Sequence, residues 1–126
     1  MTSPVIPVSW GELLDKIAIL EIKAERLRAP EAASNAGREL ALLRAAAGSL
    51  PPEAAPLYAA LLAVNMRLWR IEDAIRAKEA AGDFGAGFIA LARAVYREND
   101  ERGRIKQALN RLLRSELVEE KQYSAY

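Results

Sequence analysis

Leu57, Leu61, Val64, Leu68, Ile71 and Ile75 follow one another at alternating spacings of four and three residues. That period keeps one face of an α-helix turned toward a core. The spacing predicts a helix over 56–81, with Pro56 in its first turn and Gly82 just past its end. Tyr58, Leu62, Asn65 and Trp69 form a second row beside the first. Earlier in the chain, Leu13, Ile17, Leu20, Ala24 and Leu27 make a similar stripe and predict a helix over 9–28. Ser9-Trp10-Gly11-Glu12 reads as its capping box. Leu14, Ile19 and Ile22 fall outside that stripe. A helix apolar over so much of its circumference is either central or buries a second face on a partner chain.

Ala36, Leu40, Leu43 and Ala47 share a face and predict a helix over 31–47, with Gly48 at its end. The Pro51-Pro52 pair marks an inter-helix turn. Asp83 is the expected N-cap of a last helix over 84–120, with Phe84 and Phe88 entering the core. Leu91, Val95, Ile105, Leu109 and Leu112 continue its stripe, which Glu98 and Arg102 interrupt. Either this helix bends at Gly103 or it carries polar groups toward the bundle. Residues 1–8 hold Pro4 and Pro7 and are expected as an extended arm that packs its aliphatic side chains on the domain.

Together these elements predict an all-α fold: an antiparallel bundle of about four helices in one domain, with two long C-terminal helices. Those two would reach roughly 40 and 54 Å at 1.5 Å per residue. The first two helices are too short to cover that length, so the far end of the last helix is expected to pack on a second copy in a homodimer.

Composition narrows the function. Ala and Leu supply 42 of 126 residues, which agrees with a helical chain. There is no Cys and no His, so disulfides, thiolate and imidazole catalysis and Cys/His metal sites are excluded. The formal net charge of +1 gives no bulk attraction to nucleic acid or anionic lipid, and neither is expected as a partner. No apolar run is long enough for a membrane span and the N-terminus does not resemble a signal peptide, so a cytoplasmic location is the default expectation. Neither a cofactor nor a metal is expected.

Asn65, Asn99, Arg102 and Asn110 fall on otherwise apolar helix faces. A buried polar group must be paired or it costs a few kcal/mol. Asn65, Glu72, Asn99 and Arg102 could therefore meet between the two long helices, either as a small polar pocket or as a network that fixes helix register. Glu98 with Glu101, and Glu116 with Glu119, resemble the acidic pairs of all-α nucleotide pyrophosphohydrolases. Both pairs fall on one predicted helix, about 27 Å apart, and cannot share a metal.

Three blocks carry a more specific resemblance: Val8 to Lys16 (VSWGELLDK), Leu68 to Arg76 (LWRIEDAIR), and Ser115 to Tyr123 (SELVEEKQY). Asp83-Phe84-Gly85 and Tyr96-Arg97-Glu98-Asn99-Asp100 add to them. The chain resembles an uncharacterised family of small bacterial all-helical proteins, known only as a domain of unknown function. The resemblance implies one shared polar cluster of Asp15, Lys16, Asn65, Trp69, Glu72, Asp73, Arg76, Asn99, Arg102 and Lys106. It also implies a link to cell-envelope polysaccharide biosynthesis. The expected function is that of a non-catalytic accessory or interaction protein, or one that binds a small anion through Arg102 and Lys106. The alternative is an enzyme acting on a phosphorylated sugar or nucleotide. Glu72 or Asp73 would then be its acid–base group, and Arg76, Arg102 and Lys106 would hold the anion.

Overall fold

The computed structural model describes residues 1–126. The chain forms four α-helices: α1 Trp10–Arg26, α2 Pro30–Ala47, α3 Ala54–Ala81 and α4 Ala86–Leu112. α1 starts where the Ser9 hydroxyl accepts from the Glu12 amide at 3.2 Å. The other half of the expected capping box does not form, because the Glu12 carboxylate turns to Lys106 instead. Pro30 opens α2, where its missing amide proton is no loss. Gly82, at φ 65°, closes α3 in the left-handed conformation.

α1 is the hub. It packs against each of the other three helices, whereas α2 packs on α1 alone. Its buried set, Leu14, Ile17, Ala18, Leu20 and Ile22, covers both the predicted stripe and residues outside it. Its width is thus explained by a central position within one chain. α1 begins beside Asn110 of α4, reaches Asn65 and Arg102 at Asp15, and has Glu21 near Tyr58 of α3. It therefore lies obliquely across the base of the α3–α4 hairpin. Leu61, Val64, Ile105 and Leu109 meet it there and complete the core with Ala36, Leu40 and Ala54.

The last helix corrects three expectations and decides between two alternatives at Gly103. It ends at Leu112 rather than near 120. Arg114 takes a left-handed φ of 51°, and the Ser115 amide donates to the Asn110 carbonyl at 2.8 Å. This is a Schellman closure built without glycine, so no glycine signalled it in the sequence. Asp83 is not the N-cap. Its carboxylate accepts from the Gly85 amide at 3.2 Å and from Lys78 at 3.0 Å, and α4 starts at Ala86. Phe84 is 55 % exposed and touches Phe88 edge-on at 5.3 Å, well away from the core. α4 does not break at Gly103; it runs on and turns Arg102 and Lys106 toward α1. The N-terminal arm also departs from expectation, since Val5, Ile6 and Val8 are exposed rather than packed.

Residues 113–126 carry no helix and run back along α4. The Tyr126 hydroxyl donates to the Asp100 carboxylate, and its ring meets that of Tyr96 at 4.9 Å. No helix is long and apolar enough to cross a membrane.

Candidate functional site: a buried charge network around Asp15

Asp15 sits on the core face of α1 with its side chain 1 % exposed. A lone carboxylate there would be strongly unfavourable, so its surroundings must supply donors. Three do. Asn65 of α3 donates its amide to Oδ1 at 2.9 Å. Arg102 of α4 donates from Nε to Oδ1 at 2.9 Å and from its terminal nitrogen to Oδ2 at 2.5 Å. This fork-to-carboxylate geometry suits arginine and not lysine. Arg102 also donates to the Asn99 side chain, one turn earlier on α4, at 3.3 Å.

Lys106 lies one turn beyond Arg102, with its side chain 6 % exposed. Its ammonium bonds Glu119 at 2.8 Å and Glu12 at 2.9 Å, and stands 3.9 Å from Asp15. Burial works against the charge on Lys106. Its bonds to Glu119 and Glu12 outweigh that and hold its pKa above the ordinary value. Hydrogen bonding to Asp15 likewise raises the pKa of Arg102 against the opposing effect of burial. The bond from Lys106 lowers the pKa of Glu119. Three carboxylates thus face one buried and one partly buried cation, and each helix except α2 contributes at least one group.

A second contact fixes the start of α1. The Gly11 amide donates to Asn110 Oδ1 at 2.7 Å, and the Trp10 amide donates to the Ser115 hydroxyl at 3.1 Å. These two of the four orphan amides at the helix start are satisfied by side chains about a hundred residues away. A Cβ on Gly11 would stand 2.6 Å from the Lys106 carbonyl oxygen, so only glycine permits this approach.

The implied cluster is therefore brought together in part. Asp15, Asn65, Asn99, Arg102 and Lys106 form one connected network. Lys16 and Asp73 are exposed and stand outside it. Glu72 and Arg76 pair with each other at 3.0 Å on an exposed face. Trp69 and Glu72 line a shallow cleft of about 290 Å³ with Asn65, Asn99, Arg102 and Ile19. Sequence reasoning did not assign Glu12 and Glu119 to the network. The sequence pattern gives Glu12 a capping role, and Glu119 lies beyond the end of α4 rather than on it. Three of the four acids in the two acidic pairs hold basic side chains: Glu98 pairs with Arg67, Glu101 with Arg104, and Glu119 with Lys106. Glu116 and Glu119 are not helical.

No buried polar side-chain atom of the network lacks a partner. The one such atom in the molecule is the Tyr58 hydroxyl. Burial raises its pKa first, and the Glu21 carboxylate adds to this from outside hydrogen-bond geometry. Glu21 itself is held by Arg44 at 2.8 Å.

The Lys106–Glu119 pair anchors the tail and gives it a defined pH range. Glu119 has a folded pKa below its unfolded value, so its contribution is present above about pH 4.3 and is lost as pH falls through the lowered value. Lys106 has a folded pKa above its unfolded value, so its contribution is complete below about pH 10.4 and is lost as pH rises through the raised value. Amide NMR signals of residues 119–126 are expected to move toward random-coil positions on acidification below about pH 4, ahead of those of α1. A tail that stays in place until the helices themselves unfold would contradict this assignment.

No curated protein and no solved structure matches this chain. A family model described as a family of unknown function, DUF6165, matches residues 5–126. The match spans α1 to α4 and the tail together, and the chain belongs to that family.

Proposed function

We propose that this protein is a non-catalytic helical accessory protein and that its Asp15 network is structural. The observation that carries this reading is the mutual saturation of Arg102 and Asp15. The ε nitrogen and one terminal nitrogen of Arg102 donate to the buried carboxylate, the other terminal nitrogen donates to Asn99, and Lys106 is enclosed by Glu12, Glu119 and Asp15. An anion entering here would have to displace carboxylates from both cations. Glu72 and Asp73, the acid–base candidates, are exposed; Glu72 is paired with Arg76, and the other cation of its cleft, Arg102, is held by Asp15. In this reading the protein works in the cytoplasm, in the setting of envelope polysaccharide synthesis that the resemblance implies.

The test is a thermal-shift screen with nucleoside diphosphate sugars, sugar phosphates and small dicarboxylates, repeated on Arg102→Ala. The expected result is no compound-dependent shift and a melting temperature well below wild type for the variant. A ligand at 100 times its dissociation constant adds about 2.7 kcal/mol, a shift of several degrees. Such a shift in wild type, lost in Arg102→Ala, would replace the structural reading with a ligand site.

A further inference from the structure

None of the residues 66–104 is buried, although this stretch forms more than half of the α3–α4 hairpin. The apolar stripes do not stop there. Leu61 and Val64 are fully covered, yet Leu68, Ile71 and Ile75, next along the same stripe, are only half-covered. On α4 the order is reversed: Leu109 and Ile105 are buried, whereas Val95, Leu91 and Phe88 are only partly covered. Ile89 and Phe84 are 55 % exposed. The cause is the placement of α1 and α2 at the base of the hairpin. Ile19 closes the cleft against Leu68, Trp69 and Val95, and the C-terminal tail lies beside Val95, Tyr96 and Asp100; no other helix lies over the part of the hairpin nearer its turn. The sequence carries a core pattern where the single chain provides two helices and no second layer.

We infer that a second copy of this chain covers this face, its α3–α4 hairpin packing on the first so that the two hairpins form a four-helix layer. Area and charge favour a copy of the chain as the occupant. The uncovered part of each helix runs about 24 Å, and two helices packed about 9 Å apart present a face roughly 20 Å wide. That is a projected face of about 480 Å², which side-chain relief enlarges toward the roughly 800 Å² per partner of a stable interface. The charges between 66 and 98 are six basic and five acidic. A surface built for a partner of opposite charge would show one sign; a mixed, nearly balanced rim can pair with its own image across a two-fold axis. The interface would use Leu68, Trp69, Ile75, Leu91 and Phe88, with Phe88 nearest the tip. This inference does not depend on the role of the Asp15 network, which lies at the base.

The test is sedimentation equilibrium of the full chain at 1–100 µM, together with Phe88→Glu. The expected masses are twice 13.8 kDa for wild type and 13.8 kDa for the variant, with helicity by circular dichroism retained. A wild-type monomer throughout the range, or a folded Phe88→Glu that stays dimeric, overturns the proposal. A second measurement avoids any core substitution. The chain has no Cys, so Ala77→Cys near the hairpin tip and Ser49→Cys at the α2–α3 turn each give a single spin-label site. The proposal requires a shorter intermolecular distance at residue 77 than at residue 49; the reverse order overturns it.

Discussion

Asp15→Ala is expected to destabilise the fold by about 3–5 kcal/mol, because it leaves charged partners buried without compensation. Arg102 would lose its bidentate partner, Asn65 the acceptor of its amide, and Lys106 one of its three carboxylates. For a chain of this size the melting temperature should fall by roughly 10–20 °C. The comparison that isolates the network is the double variant Asp15→Leu with Arg102→Met. Removing both ends of a buried ion pair and filling the space with apolar atoms is often close to neutral. Calorimetry of wild type, each single variant and the double variant should therefore show the double variant more stable than Asp15→Leu alone. Additive losses would mean that the two side chains stabilise the fold independently, contrary to the geometry.

Gly11→Ala should be the second large effect, with a sign opposite to intuition. In a helix interior alanine is normally better than glycine by roughly 0.5–1 kcal/mol. At residue 11 the new Cβ would meet the Lys106 carbonyl oxygen at 2.6 Å and Asn110 Oδ1 at 3.0 Å. The first of these neighbours is helix backbone and cannot swing aside. Separating α1 from α4 to make room would also stretch the bond from the Gly11 amide to Asn110, 2.7 Å long. A loss of about 2–3 kcal/mol follows from overpacking and the weakened bond. Gly37→Ala is the matched control, since nothing lies within 4 Å of its added Cβ and its φ is ordinary. It should stabilise by roughly 0.5–1 kcal/mol. Chemical denaturation of the two variants side by side checks both signs, and equal responses would contradict the close approach of α1 to α4.

The sequence makes the helices legible wherever a periodic stripe is bounded by Pro or Gly. α3 shows this best, because its stripe runs unbroken and Gly82 ends it. The end of α4 was not legible, because Arg114 adopts a conformation that glycine usually signals. Asn65, Asn99 and Arg102 stood out as polar residues on apolar faces, and the structure brings them together with Asp15. Asp15 is 50 residues from Asn65 and 87 from Arg102, a relation that no local spacing encodes. Periodicity also gives no account of what covers a stripe. Phe84 and Phe88 look like core residues by type, yet no helix of the same chain lies over them. Surface pairs such as Glu72–Arg76 obey the four-residue rule and reveal nothing further.

The central position of α1 has a consequence for the order of folding. α3 and α4 are joined by a short turn and meet through contacts that start close in the chain. The polar bonds of α1 to them span 50, 87 and 94 residues. Loops of that length are slow to close, so the hairpin forms first and α1 docks on it late. Interactions made after the rate-limiting barrier slow unfolding without speeding folding. Stopped-flow kinetics should therefore show Asp15→Ala raising the unfolding rate with little change in the refolding rate. The charge network then acts as the latch that sets how long the finished molecule persists, rather than as the nucleus from which it grows.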